Sequence, residues 1–262
     1  WEDAAIRVWD ARSGELLKSL QGTDATLVPD CWSQGTVAYA PDGKTFASAV
    51  GGADQTAKFP TQLTIWDAES LTPRTQFDAQ KYRVHAMAYS PDGKTLAIGG
   101  VRGTLRLVSL PRPTDRDAAA KVVATFERIH PGTIMGIAWS PDGKLLASCS
   151  REYGKERGRI VVWRTADTTV PAFVWDGPGV TSIQFSPDGK SMASSGEDGA
   201  VTLWQINPVI APPIPEKNQR DPSMPVAVHG DARFRYGSWV TSLCVSPDGM
   251  LLASSGGNWG TA

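Results

Sequence analysis

The sequence predicts an all-β protein built from repeated antiparallel units, and two recurring patterns carry that prediction. The first is a tight-turn signal, Ser/Ala-Pro-Asp-Gly, which occurs five times and whose glycines are Gly43, Gly93, Gly143, Gly189 and Gly249. The second is an apolar strand that often ends in tryptophan, at residues 6–10, 63–67, 105–109, 160–164 and 201–205. The turns recur every 46 to 60 residues. A period of that length indicates a solenoid, a propeller or an array.

Each turn signal predicts a β-hairpin. Proline sets φ for the second turn position, aspartate can accept hydrogen bonds from the following backbone, and glycine takes the positive φ that other residues resist. Apolar runs flank the turn on both sides, as at 134–139 and 145–149 around Gly143. Two such runs joined by a short turn are typical of a hairpin closed by a glycine bulge. We therefore interpret the turn aspartates as structural groups and not as catalytic carboxylates.

The two patterns together resemble the WD-repeat β-propellers. The resemblance rests on the Pro-Asp-Gly hairpin, the Leu-Ala-Ser strand after it, and the strands that end in Trp9-Asp10 and Trp66-Asp67. It covers nearly the whole chain. It implies four-stranded antiparallel blades around a central channel, with strand a innermost and strand d outermost. The Pro-Asp-Gly turn then joins strands a and b, and the tryptophan ends strand c. About five repeat units are expected, within one domain spanning residues 1–262.

The strands are assigned in chain order, because Val, Ile, Leu, Thr and Trp fill them and Gly or Pro marks nearly every boundary. The chain opens with strands c and d at 5–9 and 15–20 and closes with strands a and b at 240–245 and 251–255. The four complete units are predicted at 36–40, 45–49, 62–66 and 72–77; 83–89, 95–99, 104–108 and 121–126; 133–139, 145–149, 159–163 and 170–175; and 179–185, 191–195, 200–204 and 223–228. Two interpretations stay open. Either the terminal pairs form one hybrid blade that closes the ring, or the chain is part of a longer propeller, which the incomplete terminal repeats favour.

The resemblance also implies structural roles for single residues. In the family, a histidine before strand a, a serine or threonine on strand b, an aspartate before strand c and the tryptophan form a hydrogen-bonded set. The residues that match this set or the tryptophan position are Trp66, His130, Trp163, Asp198 and Trp204. No unit carries all four groups: the unit of His130 lacks the aspartate, and the unit of Asp198 lacks the histidine. We expect Trp66, Trp163 and Trp204 to pack between neighbouring blades.

Composition narrows the class of protein. The chain has 262 residues, of which 41% are hydrophobic and 20% charged, as in an ordinary soluble globular protein. Its 26 basic and 27 acidic side chains give no electrostatic case for nucleic acid as a partner. No apolar run reaches the length of about 18 residues that a membrane helix needs. Cys31, Cys149 and Cys244 are too scattered for a disulfide framework or a zinc site. No cofactor is expected. The sequence does not identify the cellular compartment, and the cytoplasm is the favoured expectation.

Strand direction places the b–c and d–a loops on one face, and most long connections fall there. These are residues 21–35, 51–62, 151–158 and 206–238, whereas only 110–120 is long on the other face. Loop length beyond what a connection needs indicates function. The candidate partner-binding residues are Arg102, Arg151, Tyr153, Lys155, Arg157, Arg159, Phe234, Arg235 and Tyr236. Basic groups beside an aromatic predict an anchor for an acidic or phosphorylated partner. A solvated charged loop, and for the proline-rich part of 206–238 a spacer, are the alternatives.

Motifs of catalysis are missing from the sequence. It contains no Gly-x-Ser-x-Gly elbow and no His-Glu-x-x-His, and its Gly-Lys-Thr/Ser segments lack the earlier glycine of a phosphate loop. His85, His130 and His229 are isolated. We therefore predict a protein that is not an enzyme. It is expected to be a protein–protein interaction scaffold that binds a partner protein or peptide on the face of the b–c and d–a loops. The alternative is a ligand-sensing or enzyme-associated propeller with a small-molecule site in the central channel.

Overall fold

The computed structural model describes residues 5–21, 36–51, 61–80, 83–111, 120–206, 227–228 and 240–256. Within these ranges the chain consists of antiparallel strands and tight turns, and the helical part is one 3-10 turn at Val101–Gly103. The strands form four sheets of four strands and two of two strands. The predicted all-β class with four-stranded antiparallel units is therefore confirmed.

The chain divides into two compact units. The first comprises Trp1–Val101 and Leu105–Thr125, and the second comprises Arg102–Thr104 and Phe126–Ala262. The first ten strands are β1 (Ala5–Trp9), β2 (Leu16–Gln21), β3 (Thr36–Tyr39), β4 (Thr45–Gly51), β5 (Thr61–Asp67), β6 (Pro73–Gln80), β7 (Val84–Tyr89), β8 (Thr95–Gly100), β9 (Leu105–Ser109) and β10 (Lys121–Phe126). The other ten are β11 (Thr133–Trp139), β12 (Leu145–Glu152), β13 (Arg157–Arg164), β14 (Phe173–Gly177), β15 (Val180–Phe185), β16 (Ser191–Gly196), β17 (Val201–Gln205), β18 (Ala227–Val228), β19 (Val240–Val245) and β20 (Leu252–Gly256).

The first unit holds the β1–β2 ribbon and the sheets β3–β6 and β7–β10, in each of which consecutive strands are neighbours. Its core is a cluster of buried aliphatic side chains on the middle strands, among them Leu63, Leu96 and Ile98. A smaller cluster brings Leu20 of β2 against Phe46 and Trp66. The rings of Phe46 and Trp66 stack with their centroids 6.0 Å apart.

The second unit repeats this plan with the sheets β11–β14 and β15–β18 and the ribbon β19–β20. The Trp204 ring meets Phe173 and Trp175 of β14 edge-on, with centroids 5.8 and 5.5 Å apart. The Trp163 ring lies 4.8 Å from Phe126 at the end of β10. Trp204, near the end of the third strand of its sheet, therefore packs on the outer strand of the sheet before it.

The Pro-Asp-Gly turns have the chemistry that the sequence predicts. In the β11–β12 turn, Ser140 Oγ donates to Asp142 Oδ1 at 2.7 Å and accepts from the Leu145 amide at 2.9 Å. The Lys144 amide donates to the same carboxylate at 3.0 Å. Gly143 has φ of +70°, a value that glycine adopts without strain. The Ser140 hydroxyl and the Lys144 amide lower the pKa of Asp142, and their hydrogen bonds make its carboxylate part of the turn.

Two predicted boundaries are wrong. Residues 151–158 are not a loop, because the β12–β13 pairing continues through Arg151↔Gly158 and Glu152↔Arg157, so that only residues 153–156 turn. Gly154 at φ +75° allows this tight reversal. The predicted strand 170–175 is observed as β14, from Phe173, since Pro171 cannot donate to a ladder. Much of the predicted loops 21–35, 51–62, 110–120 and 206–238 lies outside the described residues.

Candidate functional site

A cleft of about 390 Å³ lies in the second unit, at the end of the sheets opposite the Pro-Asp-Gly turns. Three chain segments form its walls: the β12–β13 hairpin, the connection from β14 to β15 and the turn from β16 to β17. The lining residues are Arg151, Tyr153, Gly154, Lys155, Glu156, Pro178, Gly179, Glu197 and Asp198. The cleft thus combines both charges with one aromatic ring.

The aromatic ring belongs to Tyr153, on the tip of the hairpin. Its side chain is 62% exposed. The Arg151 guanidinium carbon lies over the ring, 4.1 Å from the centroid. A cation at this distance from a ring face is attracted by the ring quadrupole, so Arg151 holds the tyrosine in place at the mouth of the cleft.

An ion pair closes the inner end of the cleft. Arg151 Nη1 donates to Glu197 Oε1 at 2.7 Å, and the two side chains are only 12% and 16% exposed. Burial by itself would lower the pKa of Arg151, but its interactions with Tyr153 and Glu197 outweigh burial and raise that pKa. Glu197 therefore neutralises Arg151 within the protein.

Two other cations of the predicted partner-binding set are paired as well. Lys155 Nζ donates to Glu152 Oε1 at 2.6 Å across the hairpin turn. Arg159 holds Asp176 with two hydrogen bonds, from Nε at 2.7 Å and from Nη2 at 3.0 Å, while its Nη1 donates to the Ile129 carbonyl at 3.0 Å. Arg159 does not line the cleft. Arg157 is exposed on β13.

The side chains of Arg151 and Glu197 explain the glycine in the cleft wall, because they occupy the space that a Cβ would need. A Cβ added at Gly179 would lie 2.2 Å from Glu197 Oε2. The Glu197 amide donates to the Gly179 carbonyl at 2.8 Å. Gly179 thus lets the β14–β15 connection lie against the ion pair. Asp198, next in the chain, accepts a hydrogen bond from the Ala200 amide at 3.0 Å through Oδ1 and shapes the β16–β17 turn.

His130 lies outside the cleft lining, in a closed polar pocket of its own. Its Nδ1 is 2.9 Å from Ser150 Oγ and its Nε2 is 2.8 Å from Ser148 Oγ, with 3% of the residue exposed. Burial, and secondarily the charge of Arg159, lower the pKa of His130 to about 3. A neutral imidazole donates through one ring nitrogen and accepts through the other, so the two serine hydroxyls satisfy both nitrogens.

The other residues singled out from the sequence are dispersed. Arg102 lies in the 3-10 turn with φ of +64° and does not line the cleft. Phe234, Arg235 and Tyr236 lie outside the described residues. The sequence analysis missed two of the three acidic residues of the cleft, Glu156 and Glu197, and with them the pairing of Arg151. The signal was present, since Glu197 lies in a turn at the same end of the sheets as the hairpin.

A comparison with known protein families supports the repeat that the four-stranded sheets show. The family described as WD domain, G-beta repeat matches residues 71–109, 120–164, 170–205 and 232–262, which make up more than half of the chain. The chain belongs to the WD-repeat family. In WD-repeat terms, the sheets β3–β6, β7–β10, β11–β14 and β15–β18 are four-stranded blades, and the cleft lies at the b–c and d–a loops of two of them.

Several named proteins are similar to this chain in sequence. Protein HIR1 of Kluyveromyces lactis is 30% identical over 152 residues, which are 48% of this chain and 17% of the relative. The guanine nucleotide-binding protein subunit beta of Zea mays is 27% identical over 37% of this chain and 23% of its own length. THO complex subunit 3 of Arabidopsis thaliana is 26% identical over 78% of this chain and 56% of its own length. The chain therefore spans 17% to 56% of the length of these three relatives.

Among the residues that the structure describes, no helix has the length and apolar character required to cross a bilayer.

Proposed function

We propose that this WD-repeat chain is a non-catalytic scaffold that binds a partner protein or peptide at the b–c and d–a loops. The cleft beside the β12–β13 hairpin carries the proposal. An exposed tyrosine held by a cation, at the mouth of a preformed cleft, is the type of anchor on which binding energy concentrates in protein interfaces. We also propose that residues 1–262 belong to one domain, as the in-phase repeats predict.

The names of two relatives support a role in an assembly. One is a subunit of the THO complex and another is a subunit of a guanine nucleotide-binding protein. The fold favours the same role: the sheets bury their apolar side chains in core clusters, which leaves the connecting loops free to vary. A small-molecule site in a central channel stays the alternative prediction.

The test is affinity capture with identification of the retained proteins by mass spectrometry. The informative variant is Tyr153→Ala, because this side chain is 62% exposed and does not form the buried ion pair. The matched control is Tyr39→Ala, the same change at a tyrosine that is 58% exposed and does not line the cleft. Changing Arg151 or Arg159 would be less informative, since each is tied to a carboxylate of the protein.

We expect the wild-type protein and the Tyr39→Ala variant to retain the same partner, and the Tyr153→Ala variant to lose it at an unchanged melting temperature. Equal retention by all three proteins would show that the hairpin is not the binding surface, and retention by none would remove the scaffold proposal.

A further inference from the structure

We propose that the cleft beside the β12–β13 hairpin receives a basic side chain, arginine or lysine, from an extended segment of the partner. This inference rests on the proposed function and names the chemistry of its ligand. It reverses the expectation from the sequence, in which the basic residues of segment 151–159 predict an acidic or phosphorylated partner.

The charges that line the cleft provide the first argument. They belong to Arg151, Lys155, Glu156, Glu197 and Asp198. Arg151 and Glu197 neutralise each other at 2.7 Å. Lys155 is held at 2.6 Å by Glu152, which does not line the cleft. Two carboxylates, Glu156 and Asp198, are left without a cationic partner within the described residues, so the charge that a ligand meets in the cleft is negative.

Competition with existing contacts gives the second argument. An incoming carboxylate or phosphate must displace Glu197 from Arg151, or Glu152 from Lys155, before it gains a cation. The first displacement leaves a carboxylate unpaired in a largely buried place, which is costly. An incoming cation displaces nothing: Asp198 uses Oδ1 for the Ala200 amide, and its other oxygen accepts no hydrogen bond from the described residues. Arg157, next to Glu156, does not line the cleft, and solvent and salt weaken the repulsion between its charge and a cation in the cleft.

The shape of the cleft provides the third argument. At about 390 Å³ it lies near the lower end of the volumes that hold small ligands, roughly 300 to 1,000 Å³. That space admits one long side chain and the adjoining peptide backbone. The Tyr153 ring offers an apolar wall to the methylene stem of such a side chain, and the carboxylates of Glu156 and Asp198 are the acceptors for its head.

The experiment measures binding of fluorescein-labelled heptapeptides, Gly-Ser-Gly-X-Gly-Ser-Gly, by fluorescence anisotropy. X is arginine, lysine, citrulline or glutamate, and citrulline keeps the shape of arginine without its charge. The protein variant is Glu156→Gln with Asp198→Asn, which keeps the side-chain shapes and the Asp198 acceptor for the Ala200 amide. The control is Glu15→Gln with Glu69→Gln, which makes the same change in net charge at two exposed residues that do not line the cleft.

We expect the arginine and lysine peptides to bind more tightly than the citrulline and glutamate peptides. The cleft variant should weaken their binding by about tenfold or more, the order expected when a close charge pair is lost. The control variant should bind as the wild type does. Tightest binding of the glutamate peptide, binding that the cleft variant leaves unchanged, or no binding of any peptide at millimolar concentration would overturn the inference.

The two proposals can fail separately. If the captured partner depends on Tyr153 but is retained by the Glu156→Gln/Asp198→Asn variant, the scaffold proposal stands and the basic-ligand inference falls. If capture of the partner does not depend on Tyr153, the proposal that the partner binds at this cleft is wrong. The basic-ligand inference is then wrong as well, because it rests on that proposal.

Discussion

Ser148 Oγ lies 2.8 Å from His130 Nε2, and this contact distinguishes the β11–β14 blade from the β3–β6 and β15–β18 blades, in which a tryptophan donates to the corresponding serine. In the β15–β18 blade the matching serine, Ser194, accepts a hydrogen bond from Trp204 Nε1 at 2.9 Å. In the β11–β14 blade the histidine contacts the serine, and Trp163 Nε1 is buried with no hydrogen-bond partner among the residues that the structure describes. The serine at this position of the blade is thus hydrogen-bonded to a histidine in one blade and to a tryptophan in the other.

The His130→Ala substitution should destabilise the protein strongly. It removes a buried imidazole and leaves the hydroxyls of Ser148 and Ser150 without these partners. We expect a loss of about 2–4 kcal/mol in the free energy of unfolding, from the cavity and the lost hydrogen bonds together. Urea denaturation measures the loss. His85→Ala on β7, at a half-buried histidine, is the control, and an equal loss in both variants would contradict the special role of the serine pair.

His130 should also make stability depend on pH. Its pKa in the folded protein is lowered to about 3, whereas an unfolded histidine has a pKa of about 6.5. The unfolded chain therefore binds the proton first, so this contribution is complete above pH 6.5 and is lost as the pH falls toward 3. The slope is at most about 1.4 kcal/mol per pH unit.

The measurement compares the wild type with His130→Gln by urea denaturation between pH 6.5 and 4.5. The hydrogen-bonded aspartates of the turns, whose pKa values are lowered, affect stability mainly below this window. The wild type should lose more stability than the variant as the pH falls. Parallel curves would show that His130 does not bind its proton more weakly in the folded state.

The two tryptophans should respond differently to replacement by phenylalanine. Trp204→Phe deletes the donor to Ser194, whereas Trp163→Phe deletes an indole N–H that has no acceptor in the described part of the chain. Both variants lose similar ring volume, so the lost hydrogen bond should make Trp204→Phe worse by about 1 kcal/mol. Chemical denaturation of both proteins checks the order, and a larger loss for Trp163→Phe would contradict it.

The Arg151–Glu197 pair should show strong coupling in a double-mutant cycle. Arg151→Met or Glu197→Met alone leaves one charge unpaired in a largely buried place, and each should cost about 2–4 kcal/mol, while the double variant should recover a large part of that loss. The comparison pair is Arg159–Asp176, whose side chains are 28% and 52% exposed. It should couple by no more than about 1 kcal/mol. Equal coupling energies in the two pairs would show that burial does not determine the coupling between Arg151 and Glu197.

Local chemistry explains how much of the fold could be predicted. The turn at Gly143 depends on residues within five positions of one another, from Ser140 to Leu145. Each turn carries its own proline, aspartate and glycine, so the strand order follows from the sequence. The extent of the β12–β13 hairpin was missed because its charged residues look like a loop. They nevertheless pair in register, as at Glu152↔Arg157, since an extended hairpin can hold charged side chains at its exposed edge.

The candidate site depended on contacts between residues far apart in the chain. The hairpin at 151–159 was recognisable from its charges and from Tyr153. Its electrostatic character was not, because the partner of Arg151 is Glu197, which lies 46 positions later. Glu197 reaches Arg151 only because Gly179 leaves space between two blades.

Patterns a few residues long are enough to predict the repeat, the turn chemistry, the all-β class and the WD-repeat family. The pairing of charges is visible only in the folded chain, and it leaves the cleft acidic although the sequence of its hairpin is rich in basic residues. The reason is physical. A side chain's hydrogen-bonding preference acts over a few ångströms and is encoded locally, whereas the net charge of a site depends on every residue that folding brings into it.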